Sequence, residues 1–145
     1  MDLKNKNILI TGAGKGIGLS AVQETLKNGA NVFALVKSKS DIKKMNKFNN
    51  LYIFNGNVNN EKTIKKMFAY SQKIKKPINC LVNNAGVRQR KSFLKITEKE
   101  LKELFETNFF SVFKLSQFFI KNLKKNEKGS IVNIGSIVGS FGFDE

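Results

Sequence analysis

A chain of 145 residues with 41% apolar residues is long enough for one domain with a buried core and too apolar to remain disordered. Its formal charge of +15 comes from 26 Lys and Arg against 11 Asp and Glu, but the lysines are scattered in pairs such as Lys43-Lys44, Lys65-Lys66, Lys75-Lys76 and Lys124-Lys125, and the only arginines are Arg88 and Arg90. That pattern reads as a solvated surface, not a nucleic-acid footprint, which favours arginine forks and aromatic platforms. The absence of histidine excludes histidine-dependent hydrolysis and most zinc chemistry within this chain, and the single Cys80 excludes an intrachain disulfide. No apolar run approaches the roughly 20 residues of a membrane helix, and the start of the chain is polar, so the expected location is cytoplasmic.

The first element is a short apolar strand, Ile8-Leu9-Ile10, closed by the run Thr11-Gly12-Ala13-Gly14-Lys15-Gly16-Ile17-Gly18. Glycines there permit a sharp turn and let backbone press against a phosphate, and the helix that follows aims unpaired N–H groups and its positive dipole end at the same place. The spacing is T-G-x-x-x-G-x-G rather than the commoner G-x-G-x-x-G. A helix over 17–28, with Ile17, Ala21, Val22 and Leu26 on one face, stops at Asn28-Gly29. A second strand spans 31–36, a short helix 41–47 and a third strand 51–54. Asn60 caps a helix to about residue 74 with Ile64, Met67, Phe68 and Ser71 on one face.

After Pro77, a fourth strand over 78–82 leads into Asn83-Asn84-Ala85-Gly86 and a polar loop over 87–96. There Arg88, Arg90 and Lys91 could attract an acidic substrate or carrier, with a solvated loop as the favoured reading. Thr97 and Glu100 form a capping box that opens one long helix over 98–125. A fifth strand spans 130–135, and Ser136 follows it. Strands alternating with helices imply an α/β fold with a doubly wound parallel sheet of order 3-2-1-4-5, as a single domain over 1–145. Ligands in such sheets sit beyond the carboxyl ends of the strands where the order reverses, and there residues 12–18, residues 83–86 and Ser136 converge.

Thr11-Gly12-x-x-x-Gly16-x-Gly18, Asn83-Asn84-Ala85-Gly86, Asn108 in the long helix and Ser136 after the fifth strand together resemble the short-chain dehydrogenase/reductase family, over essentially the whole chain. The resemblance implies a Rossmann-like nicotinamide-cofactor domain. Thr11, Gly12, Gly14, Lys15, Gly16, Ile17 and Gly18 would make the pyrophosphate turn, and Asn83, Ala85 and Gly86 would line the cofactor. Asn57-Val58 falls where the family has Asp-Val beside the adenine, with an amide in place of the acid. Asn108 would support a water relay and Ser136 would steady the charge developing on a substrate oxygen. Read from the residues alone, Asn108 shares a helical face with Leu101, Leu104, Phe105, Val112, Leu115 and Phe119, where an amide needs partners.

An NAD site of this kind carries Asp or Glu at the end of the second strand to hold the ribose 2′-hydroxyl. Here that position holds Val36-Lys37-Ser38, and no acid occurs between Glu24 and Asp41. With Lys15 in the loop, Lys37 and Ser38 favour the 2′-phosphate of NADP over NAD. The family's acid/base tyrosine belongs to a Tyr-x-x-x-Lys motif downstream of the serine, whereas the tyrosines here are Tyr52 and Tyr70. The chain is therefore expected to be the amino-terminal part of a longer enzyme, inactive by itself, with a non-catalytic dinucleotide-binding module as the alternative. Its expected activity is hydride transfer between NADP and a small carbonyl or alcohol substrate, and it resembles 3-oxoacyl-carrier-protein reductases and related small-carbonyl reductases. A second apolar stripe at Phe109, Phe113 and Ile120, with Phe110 further round, is where the family pairs subunits, which implies a homodimer or homotetramer.

Overall fold

The computed structural model describes residues 2–45, 50–123 and 128–136. Five parallel strands make one sheet in the order β3-β2-β1-β4-β5, as the alternation of elements predicts. They are β1 (Asn7–Thr11), β2 (Asn31–Val36), β3 (Leu51–Asn55), β4 (Cys80–Asn83) and β5 (Ser130–Asn133). The helices are α1 (Gly16–Lys27), α2 (Lys39–Met45), α3 (Glu61–Lys73), α4 (Glu98–Phe105) and α5 (Ser111–Asn122). β1 is the hinge of the topology: Leu9 lies opposite Phe33 of β2 on one side and Leu81 of β4 on the other.

The two-residue period of the strands divides the core in two. Leu9, Phe33, Leu35 and Leu81 pack against Ile64, Met67 and Phe68 of α3 and Leu115 and Phe119 of α5. Ile8, Ile10, Val32, Ala34 and Val36 face the opposite side, against Val22 of α1 and Met45 of α2. Caps behave as local chemistry dictates. Asn60 accepts from the Thr63 N–H at 3.2 Å, and Thr97 and Glu100 close a reciprocal capping box.

The expected single helix over 98–125 is instead two helices joined by a π-helical turn, Glu106–Phe110, and α5 ends at Asn122. The extra residue in that turn rotates everything before it by about 100° relative to an unbroken helix. Leu115 and Phe119 therefore reach the core while Leu101 and Phe105, which the uninterrupted pattern puts on the same face, are exposed. Smaller differences follow. β4 begins at Cys80, not residue 78, although Ile78 is buried; β5 ends at Asn133; α2 starts two residues early; and a 3-10 turn, Phe93–Lys95, interrupts the loop over 87–96. The expected ends of the second helix (46–47) and of the long helix (124–125) lie outside the described residues. β5 is exposed on every residue, and Phe109, Phe110, Phe113 and Ile120 are exposed as well.

Candidate functional site

β1 delivers Thr11 to the sheet's carboxyl edge, where it is buried. Its Oγ1 accepts from the backbone N–H groups of Asn84 and Ala85, both at 3.0 Å. Asn84 answers by donating Nδ2 to the carbonyls of Thr11 (3.0 Å) and Gly12 (3.2 Å). The glycine turn after β1 and the loop after β4 are thus stitched together across the point where the strand order reverses.

The turn opens α1 at Gly16. Lys15, the N-cap, gives no side-chain bond to the helix, and the first turn contains no acid. The leading N–H groups therefore have no side-chain cap, which makes the helix start a ready anion site. Two glycines serve it for opposite reasons. Gly16 has φ +52° with nothing within 4 Å of where a β-carbon would sit, so backbone conformation alone demands glycine. Gly18 has ordinary backbone, but a β-carbon there would collide with the Gly12 carbonyl and come within 2.5 Å of Asn84 Nδ2.

A cleft of about 660 Å³ runs from this turn across the edge of the sheet. Of the residues expected to bind a cofactor, Gly12, Gly14, Lys15, Gly16, Ile17, Gly18, Lys37, Ser38, Asn57, Val58, Ala85 and Gly86 line it. Thr11 and Asn83 stand behind the wall instead. Asn83 is buried, donating to Asn133 Oδ1 at 2.8 Å and to Ser116 Oγ at 3.3 Å, so it ties β4 to β5 and α5. Asn57 Oδ1 accepts from the Asn59 N–H at 3.0 Å, which commits one lone pair of the oxygen expected to face an adenine. Uncapped donors, two lysines and a glycine wall together fit a phosphate-bearing dinucleotide.

Asn108 sits in the π-helical turn, exposed, not in the middle of a buried apolar face. Both ends of its amide are used: Oδ1 accepts from the Val87 N–H at 2.8 Å and Nδ2 donates to the Val87 carbonyl at 2.7 Å. The loop after β4 is held a second time where Lys91 Nζ meets Glu100 at 2.5 Å. That contact, with the Thr97 N–H and hydroxyl, lowers the Glu100 carboxyl to about 2. Arg88 lines a neighbouring hollow toward α4 that shares Lys37, Asn57, Val87 and Thr107 with the cleft. Ser136 follows β5 by three residues, is exposed, and is not among the residues lining the cleft.

Neither tyrosine lines the cleft. Tyr52 stacks on Phe33 (4.9 Å between ring centres), meets Tyr70, and accepts from Lys76 Nζ at 3.0 Å. Burial pushes the Cys80 thiol up, away from nucleophilic use. Three contributors escaped the sequence reading. Asn84 was visible in its motif but its double donation was not; Thr107 and Asp41 reach the cleft only because the π-helical turn and α2 fold back onto it. Among the described residues no helix is long and apolar enough to cross a membrane, and no group of His, Cys, Asp or Glu is arranged to hold a metal ion.

Known proteins of similar sequence cover nearly the whole chain. It is 31% identical over 144 residues to the 3-oxoacyl-[acyl-carrier-protein] reductase of Vibrio cholerae, matching 98% of this chain and 59% of that protein. It is 29% identical over 147 residues to the Escherichia coli reductase of the same name, again across 98% and 59%. It is 34% identical over 141 residues to the 3-amino-tetrahydro-pyrrolizinone reductase of Xenorhabdus hominickii, across 95% and 48%. The chain thus spans about 59% of the length of the first of these relatives. A crystal structure from Agrobacterium tumefaciens, provisionally described as a gluconate dehydrogenase, superposes with a TM-score of 0.87 at 24% identity, over 98% of this chain and 58% of that one, which establishes the shared fold. The short chain dehydrogenase family model matches residues 6–145, and this chain belongs to that family.

Proposed function

We propose that this chain is the NADP-binding portion of an oxidoreductase that moves hydride between the nicotinamide and a small carbonyl or alcohol substrate. The observation that carries the reading is the uncapped, glycine-rich start of α1, opening into a cleft that also holds Lys15 and Lys37. Residues 12–18 would hold the pyrophosphate through backbone N–H groups and the helix dipole. Lys15, Lys37 and Ser38 would take the 2′-phosphate, for which a cation is better suited than the carboxylate of an NAD site. Asn57 and Val58 would flank the adenine. Ala85 and Gly86 would line the cofactor where the loop after β4 meets the glycine turn, with Thr11 and Asn83 supporting them from behind. When bound, the nicotinamide supplies or accepts the hydride.

Asn108 would fix the loop wall through Val87, and Ser136 would hydrogen-bond the substrate oxygen as charge develops on it. Proton transfer at that oxygen needs a further group, because neither Tyr52 nor Tyr70 faces the cleft. The 145-residue chain is accordingly expected to bind NADPH without turnover. The names of the Vibrio cholerae and Escherichia coli relatives support a 3-oxoacyl substrate, and the exposed stripe of Phe109, Phe113 and Ile120 supports a homodimer or homotetramer. A cytoplasmic setting suits the lone Cys80.

The test is a fluorescence titration of NADPH and NADH into the chain and its Lys37→Asp variant. The variant is expected to weaken NADPH by about tenfold or more while NADH changes by about threefold or less. Equal losses for both cofactors would defeat the preference for NADP, and no binding of either by the unmodified chain would defeat the reading altogether.

A further inference from the structure

The phosphate end of the cleft carries two lysines and also one fixed anion. Asp41 is the third residue of α2, and it lines the same cleft as Lys15, Lys37 and Ser38. Its position is set by packing. A β-carbon on Gly14 would fall 2.7 Å from Asp41 Cβ and 2.9 Å from its Oδ2, with Val36 Cγ1 at 2.8 Å. The aspartate therefore lies directly over the glycine turn and holds the space a side chain at position 14 would need. The turn behind it is tied down by the Asp41 N–H on the Ser38 carbonyl (3.2 Å) and by the Ser38 and Ser40 hydroxyls in mutual contact (2.7 Å). Among the described residues its carboxylate forms no ion pair.

We propose that Asp41 is a specificity-determining residue that narrows the margin between the two cofactors. Its carboxylate repels the 2′-phosphate that Lys15 and Lys37 attract, and leaves a neutral ribose hydroxyl unaffected. The inference rests on the dinucleotide reading above. A ribose phosphate carries between one and two negative charges near neutral pH, so one fixed carboxylate beside it opposes one of the two lysines. The chain would then favour NADPH by less than its lysines alone would produce, and would keep NADH as a usable second cofactor.

The experiment is Asp41→Asn, which preserves shape and removes charge, titrated with NADPH and NADH at about 50 mM and about 300 mM salt. Asp41→Ser serves as the second variant, with thermal melts of all forms establishing that each is folded. The expected result is about tenfold tighter NADPH at low salt, less than about twofold change for NADH, and a smaller NADPH gain at high salt. An equal change for both cofactors, or none, overturns the proposal by reducing Asp41 to a packing residue. Selective weakening of NADH also overturns it, since the carboxylate would then be holding the ribose hydroxyl. If the unmodified chain binds neither dinucleotide, the proposed function fails and this inference with it. If it binds NADPH and the variants leave the cofactor ratio unchanged, only the inference fails.

Discussion

Replacing Gly18 by alanine tests how the cofactor turn is built, because the adjacent glycine at 16 supplies an internal control. The added methyl at 18 would sit 2.5 Å from Asn84 Nδ2 and 2.9 Å from the Gly12 carbonyl carbon, where ordinary contact begins near 3.4 Å. The Gly12 side of the clash is backbone. The Asn84 amide can move aside only by giving up its bonds to the Thr11 and Gly12 carbonyls. Overpacking of this kind costs about 1–3 kcal/mol. Two lost hydrogen bonds add about 2 kcal/mol. Alanine's better helix propensity returns about 1 kcal/mol. The net expectation for Gly18→Ala is a loss of about 2–4 kcal/mol, with dinucleotide binding weakened because the two loops separate. Gly16→Ala meets open space and incurs only the left-handed backbone penalty, about 1–2 kcal/mol. Urea unfolding followed by circular dichroism reads both, with the midpoint shifting and the slope unchanged. A loss below about 1 kcal/mol for Gly18→Ala, or a larger loss for Gly16→Ala than for Gly18→Ala, refutes the geometry of the turn.

Thr11→Val keeps the shape of the residue but strands the N–H groups of Asn84 and Ala85. It is expected to cost about 2–3 kcal/mol in the same assay, with Thr11→Ser restoring most of it. An unchanged midpoint for the valine variant removes the hydroxyl from the account of the cleft. Glu100 gives a pH signature. Its folded carboxyl lies near 2, below the ordinary 4.5, so its contribution is complete above about 4.5 and disappears as pH falls through about 2. Thermal melts of the chain and its Glu100→Gln variant should therefore differ near neutral pH and converge in acid. A difference that persists undiminished at the acid end means the carboxylate is not what Lys91 and Thr97 hold.

Most of the fold was legible because most of its determinants are local. The glycine turn, the Asn60 cap and the Thr97–Glu100 box each involve residues within a few positions of one another, so a linear reading finds them. The strand order followed from alternation and handedness. The unbroken long helix failed for the opposite reason. Its interruption coincides with a bond between Asn108 and Val87, residues 21 positions apart, and one inserted residue changes which side of α4 faces the sheet. Leu101 and Phe105 then look like core in the pattern and stand exposed in the fold. Asp41 closes the acid-free stretch after the second strand and its spacing assigns it no role, yet α2 carries it back over Gly14. Residues positioned by tertiary return carry no signal in spacing.

The exposed fifth strand has a consequence for how the molecule breathes. β5 is held by one ladder to β4, and no residue in it is covered. It is the cheapest part of the sheet to detach, so amide exchange should grade from slow at β1 and β2 to fast at β5. Detachment is not confined to the rim, because Asn133 accepts from Asn83, next to the cleft wall, and the Asn83 carbonyl accepts from Ile134. Each opening of β5 removes two bonds from the residue that precedes Asn84 and leaves it held by Ser116 Oγ. The outer rim and the floor of the cleft thus belong to one cooperative unit, and whatever covers β5 also quiets the place where a cofactor would rest.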